Sequence, residues 1–411
     1  MPAAAEGGEV DGARSGWRAT VAAVAFTQFA AKFGTAFVTP FIPVILALQL
    51  GVHDPRQLAL WTGLIGGATG GGVALASIGW GALADRYGRK PMLVRAVIAG
   101  SLVMGLTTFV QTPLQLLGAR FLFGSTGATV ASANALVAAE APREKVGWGL
   151  GVVASSMALG QAIGPLVGGA MSVAVGIRWA ILLGGGIMLV PVLPLIHYVQ
   201  ERSRPVVRRR LSIGAAVRSI DRPSVYAIGA LVLSQGLTQF AYFSVQQLAA
   251  VRLIELEPGH AAVSTGFAFS ALGLTTGISA IGYSRVAGRV GFRRLAIVAS
   301  LLLGLSFVVI SQATGLPLFI ASMGLIGLVY GSLNPSLASM VGLEAPAAIK
   351  ATVFGLSASV AAIGQAIGPV ASGGVAAGFG VPAGLQFAAF FLLLVAVLLV
   401  FLAREPRIVV A

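Results

Sequence analysis

The chain is a succession of long apolar stretches separated by short polar ones. Windows of about 20 mostly apolar residues, long enough to cross the hydrocarbon core as a helix, recur from Trp17 almost to the C-terminus. Twelve can be marked, at residues 18–48, 58–84, 91–110, 114–139, 147–173, 179–198, 224–251, 261–283, 295–312, 316–341, 351–378 and 385–402. Most connections between them are very short. The exception, residues 199–223, carries Arg202, Arg204, Arg208, Arg209, Arg210, Arg218 and Arg222 and divides the spans six and six. The pattern predicts an all-α integral membrane protein of twelve transmembrane helices: a polar, mobile tail at 1–16, a six-helix bundle at 17–198, a basic linker at 199–223, a second bundle at 224–403 and a short tail at 404–411.

Composition removes the competing classes. Charged residues make up 10% of the 411 and hydrophobic residues 57%, where a soluble domain has about 25% charged. With no cysteine there is no disulfide, thiolate metal site or cysteine nucleophile. His53, His197 and His260 are too scattered to suggest a metal site, and no cofactor is expected. The glycine run Gly66–Gly72 lacks the Lys-Ser/Thr of a phosphate loop and lies inside a span.

The net charge of +14 is a matter of placement. With the N-terminus inside, 22 of the 27 Lys and Arg residues fall in inward loops and only Arg56, Arg178 and Arg252 outside. That asymmetry predicts both termini in the cytoplasm. The basic linker then faces anionic lipid rather than nucleic acid.

The halves repeat. Gly-Gln-Ala-Ile-Gly-Pro occurs at 160–165 and again at 364–369, and Glu140-Ala-Pro142 recurs as Glu344-Ala-Pro346 at the same offset of 204. A weaker echo pairs Thr27-Gln-Phe-Ala30 with Thr238-Gln-Phe-Ala241 at offset 211. Duplicated six-span halves predict a binding site between them, near the midplane.

Two cations fall inside spans. Arg120 lies about seven residues from Pro113, roughly 10 Å along a helix, within marginal reach of the surface. Lys32 is about 14 residues beyond Arg18, roughly 21 Å and near the midplane, where a cation costs about 2.5–3.5 kcal/mol on insertion scales. All 13 acids lie in tails, loops or helix ends, so Lys32 has no evident counter-ion. It reads either as the seat of an anionic substrate group or as a titrating group. Gln28, Asn134, Gln235, Gln239, Tyr242, Gln246, Tyr330 and Asn334 join Lys32 and Arg120 as candidate substrate contacts. Taken singly, each uncharged one reads as an interhelical hydrogen bond worth about 0.6–2 kcal/mol.

The loop Gly81-Ala-Leu-Ala-Asp85-Arg86-Tyr87-Gly88-Arg89-Lys90 resembles the G-x-x-x-D-R-x-G-R-K signature of the major facilitator superfamily. Gly160, Gly164, Pro165, Gly168 and Gly169 in span five, repeated by Gly364, Gly368 and Pro369 in span eleven, resemble the antiporter motif of its drug:proton branch. Arg120-x-x-x-Gly124 is similar to the R-x-x-x-G motif of the same branch. Trp61-Thr-Gly63, Asn134-Ala-Leu136 and Gly147-Trp148 narrow the likeness to bacterial multidrug efflux transporters. The resemblance implies a monomeric inner-membrane exporter of small amphipathic molecules, coupled to protons and working by alternating access. It also implies that Gly81, Asp85, Arg86, Gly88, Arg89 and Lys90 latch the cytoplasmic side in the outward-facing state. The second half carries Gly288 where the first has Asp85, so the latch is expected to be asymmetric. Lys32 departs from the pattern of cation exporters, which place an acid in the pocket, and points to anionic or neutral cargo. A metabolite or organic-anion transporter on the same fold is the alternative. An integral-membrane enzyme would need a clustered acid, base or metal constellation, and the sequence offers none.

Overall fold

The computed structural model describes residues 6–127, 129–199, 201, 222–346 and 349–405. Six of the seven linker arginines, all but Arg222, lie outside the described residues, as does Arg407. Among the described residues there are twelve helical spans and no strand, as the apolar pattern predicts.

Most spans are single helices: Pro55–Tyr87, Arg89–Leu106, Val146–Ala174, Arg222–Leu256, Ala261–Val290, Phe292–Ser311, Leu316–Glu344, Lys350–Phe379 and Val381–Phe401. Local chemistry sets their ends. Asp54 accepts a hydrogen bond from the Arg56 amide ahead of Pro55, and Thr112 accepts one from Gln115 ahead of Pro113. The tight connections after spans two, five, eight and eleven turn on Gly88, Gly176, Gly291 and Gly380, with φ of 86° to 99°. Only glycine takes such angles without strain, and the four fall at equivalent places in the two halves.

Three spans are interrupted. Span one runs through Glu6–Thr35, a 3-10 turn at Thr39–Phe41 and Ile42–Leu48. Its helix begins within the segment whose composition suggested a mobile tail, because adding turns to an existing helix needs no new nucleus. Span six breaks at Pro191, between Ile177–Leu189 and Val192–Tyr198. Span four breaks at Gly127, between Pro113–Thr126 and Thr129–Glu140.

Carbonyls freed inside a membrane need new donors, and neighbouring spans supply them at this last break. Trp80 Nε1 donates to Ser125 O at 2.6 Å, Arg95 to Thr126 O at 3.0 Å and Gln28 to Thr129 O at 3.2 Å. Arg95, within span three as the apolar pattern bounds it, holds its guanidinium 3.3 Å from the Trp80 ring centroid. Arg252, placed outside the spans by the charge pattern, belongs to the last turns of the span-seven helix, where it pairs with Glu255 at 2.8 Å.

The bundles meet along two seams, span two against span eleven and span five against span eight. Both are built on glycine, which lets backbones approach closely where lipid provides no hydrophobic drive between helices. A Cβ at Gly63 would stand 2.4 Å from Pro369 O, and one at Gly266 would stand 2.8 Å from Pro165 O. The inter-bundle glycine contacts at backbone distance lie in the half of the spans remote from the basic loops, and only Gly277 against Ala158 falls just past mid-span. At the basic end, Gly79, Gly81, Gly151, Gly282, Gly288 and Gly355 have open space beside them. The apolar core divides the same way. One continuous cluster, from Val38 and Ile65 to Phe269 and Leu272, joins both bundles at the far end. A separate cluster around Val21, Leu93, Val137 and Leu195 belongs to the first bundle alone. The space between the bundles therefore opens toward the basic loops.

Candidate transport site between the bundles

Spans one and seven are the most buried, at 72% each. Span one packs on spans four, five and six of its own bundle. The glycines of spans five and eleven set the depth of these inner helices. A Cβ at Gly160 would meet Phe29 O at 2.6 Å, Phe33 N at 3.0 Å and Lys32 Cβ at 3.2 Å; one at Gly364 would meet Gly236 O at 2.1 Å and Phe240 N at 3.1 Å. Gly164 lies on Phe33 and Gly368 on Phe240 in the same manner. Gly168 rests on Phe37 and Phe41, whereas Gly169 faces Ala262 and Gly266 of the other bundle. Span five is thus wedged between span one and span eight.

These contacts correct the register read from the sequence. Phe29 corresponds to Gly236 and Phe33 to Phe240, an offset of 207 rather than the 211 of the Thr-Gln-Phe-Ala echo. That echo is one helical turn out of step. In the structural register Gln28 is the counterpart of Gln235, and Lys32 is the counterpart of Gln239.

The counterparts are used differently. Gln239 accepts a hydrogen bond from the Tyr330 hydroxyl at 2.6 Å. Tyr330 stacks on Tyr242, with centroids 3.6 Å apart and planes 5° from parallel. The Tyr242 hydroxyl lies beside the amides of Gln246 and Gln161 but has no partner in hydrogen-bonding geometry. Spans five, seven and ten therefore converge on one aromatic and amide cluster, to which the first bundle contributes Gln161. Lys32, half-buried, makes no hydrogen bond or ion pair among the described residues. It is flanked by Phe29 and Phe33, whose rings lie 5.6 Å apart.

Other candidates from the sequence are placed elsewhere. Gln28 is fully buried and committed to the break in span four. Gln235 is bound by the Ser357 hydroxyl of span eleven. Arg120 is 1% exposed, donates to Thr39 Oγ1 at 3.0 Å and lies 4.7 Å from the Phe123 ring centroid, near the closed end. Its Nε and Nη1 have no partner. Asn134 is exposed and Asn334 half-buried, and neither joins the tyrosine cluster.

The loop after span two is held from within its own bundle. Glu201 accepts from the amides of Arg89 and Lys90, Arg89 donates to Ala135 O and Lys90 to Ile196 O. Of Asp85 only the backbone is described. Gly81 has open space beside it, so the latch segment does not meet the other bundle at that position in this structure. Sequence reasoning missed Trp80, Glu201 and Glu405. The one signal for the two glutamates was their own spacing of 204, matching the repeat.

The chain matches the Major Facilitator Superfamily over residues 24–254 and 231–410. It is 31% identical over 357 residues to multidrug resistance protein MdtG of Citrobacter koseri, covering 84% of this chain and 86% of that one. It is 29% identical over 367 residues to the multi-drug resistance efflux pump PmrA of Streptococcus pneumoniae, covering 89% and 91%. Its fold superposes on a bacterial homologue of the human lysosomal transporter Spinster, in an inward-facing and occupied conformation, with a TM-score of 0.76, 14% identity and coverage of 92% and 95%.

Proposed function

The chain belongs to the major facilitator superfamily, and on that premise we propose that it is a secondary active transporter exporting small amphipathic molecules by alternating access, with protons as the counter-flow. Its similarity to two multidrug efflux proteins over most of their length supports the cargo class. No chemistry is performed on the cargo, and the working unit is a monomer in the bacterial inner membrane with both termini in the cytoplasm.

The single observation that carries the mechanism is the division between the two ends of the molecule. Glycine seams and a shared apolar core close one end, while the bundles are separate at the basic end. With the basic loops in the cytoplasm, this is an inward-facing state. Rocking about the central site would part the seams at Gly63 and Gly266 and bring the Gly81–Lys90 segment against span eleven, where Asp85, Arg86 and Arg89 act as the latch. Lys32 and the Tyr242–Tyr330 cluster lie at the level where such a motion exchanges access.

A facilitator or symporter on the same fold is the second reading. It is favoured by the absence of any Asp or Glu from the middle of a span. Transport in proteoliposomes separates the two. Under an imposed pH gradient, antiport moves an amphipathic dye against its own gradient with matching proton release. Dye movement indifferent to the pH gradient would leave a facilitator.

A further inference from the structure

We propose that Lys32 is the seat of a negatively charged group on the cargo, so that this transporter is built for amphipathic organic anions with a flat apolar body. The proposal rests on the export reading above and names its substrate class.

The first support is the unmatched partner. In the structural register the position of Lys32 is that of Gln239. Gln239 is satisfied within the protein by the Tyr330 hydroxyl, whereas Lys32 has no hydrogen bond or ion pair among the described residues. The two bundles thus place a committed amide and an uncommitted ammonium at equivalent points.

Charge supports the same assignment. No carboxylate lies mid-span that could neutralise the ammonium. A buried cation is retained at such depth where it faces a polar cavity or its ligand. The bundles are separate at the basic end and Lys32 is only half-buried, so that opening would give an anion its route to the ammonium.

The third support is what stands at the same level. Gly160 packs on the Lys32 backbone turn, and the next residue, Gln161, lies beside the Tyr242 hydroxyl. Adjacent residues of span five therefore join the lysine of one bundle to the stacked tyrosines of the other. Phe29 and Phe33 border the lysine on its own span. An ammonium on the same span as a stacked phenylalanine pair, joined through span five to the stacked tyrosines, suits a ligand with an anionic head and a planar apolar body.

The test uses the full chain and two xanthene dyes of similar size and opposite charge, carboxyfluorescein and rhodamine 123. Lys32→Gln places in the first bundle the residue that the second already carries, and Lys32→Arg keeps the charge. In proteoliposomes the wild-type protein is expected to favour carboxyfluorescein. Lys32→Gln should slow that dye by about tenfold without slowing rhodamine 123, and Lys32→Arg should stay within about threefold of wild type. Carboxyfluorescein binding to the purified protein, read by fluorescence polarisation, should weaken about tenfold in Lys32→Gln, the equivalent of about 1.4 kcal/mol. The proposal is overturned if Lys32→Gln handles carboxyfluorescein as wild type does in both measurements, or if the wild type prefers the cation. If neither dye is transported, the export reading fails, and the binding measurement still decides the role of Lys32.

Discussion

Glu201 and Glu405 stand 204 positions apart and make the same pair of bonds. Glu201 accepts from the amides of Arg89 and Lys90, and Glu405 from those of Phe292 and Arg293. Each carboxylate thereby closes the start of a helix, span three or span nine, just after a left-handed glycine. A Cβ on Gly88 or Gly291 would come within 2.8 Å of the glutamate carboxylate oxygen. Even the basic arms repeat, Lys90 reaching Ile196 O and Arg293 reaching Val400 O. The loop that lacks a second Asp85 is thus duplicated in its anchoring, while Asp85 and Arg89 are replaced by Gly288 and Phe292.

Replacing either glutamate by alanine leaves two amides without their acceptor and removes a negative charge from a helix N-terminus. Glu201→Ala and Glu405→Ala should each destabilise the protein by about 1–2 kcal/mol. Glutamine, which keeps an acceptor oxygen, should cost less. Thermal unfolding in detergent reads both, and an alanine variant as stable as wild type would remove the anchoring role.

The seam glycines should bias the conformational equilibrium. At Gly63 an added methyl would meet backbone atoms of the opposite bundle, Pro369 O at 2.4 Å and Gly373 Cα at 2.9 Å. Gly63→Ala should therefore disfavour the state closed at that end. Cysteine labelling from the two sides of the membrane should show more reactivity from the side of the seams and less from the side of the basic loops.

Gly81 gives the complementary case. It has open space beside it in this structure, so Gly81→Val should leave stability within about 0.5 kcal/mol. If the segment closes on span eleven in the other state, transport should still fall severalfold. A variant that transports at the wild-type rate would argue against a close approach there.

The two tyrosines separate packing from hydrogen bonding. Tyr330→Phe removes a bond to Gln239 and should cost about 0.6–1.7 kcal/mol. The Tyr242 hydroxyl has no partner in bonding geometry, so Tyr242→Phe should be close to neutral. Equal losses in the two variants would mean that the Tyr242 hydroxyl is bonded after all.

The break in span four depends on its donors. Trp80→Phe keeps an aromatic ring beneath Arg95 but leaves Ser125 O without its N–H. A loss of about 1–3 kcal/mol is expected for a buried acceptor left unmade, measured by unfolding in detergent.

The sequence by itself determined the all-α class, the number of spans, the duplication and the crowding of basic residues at one end. These follow from one-dimensional quantities: the bilayer thickness sets the length of each apolar stretch, and charge is counted loop by loop. The glycine positions of spans five and eleven were legible for the same reason, since their four-residue spacing puts them on one helical face. Only the tertiary structure decided the register of spans one and seven, because four shared letters can match one turn out of step while backbone contact cannot. It alone distinguished Gln28 and Gln235, consumed by backbone and Ser357, from Lys32, left without a partner. It also brought Glu201 and Trp80 to atoms far along the chain. Whether a polar side chain is satisfied depends on which helices stand beside it, and helix packing in a membrane follows small-residue complementarity that no single span contains.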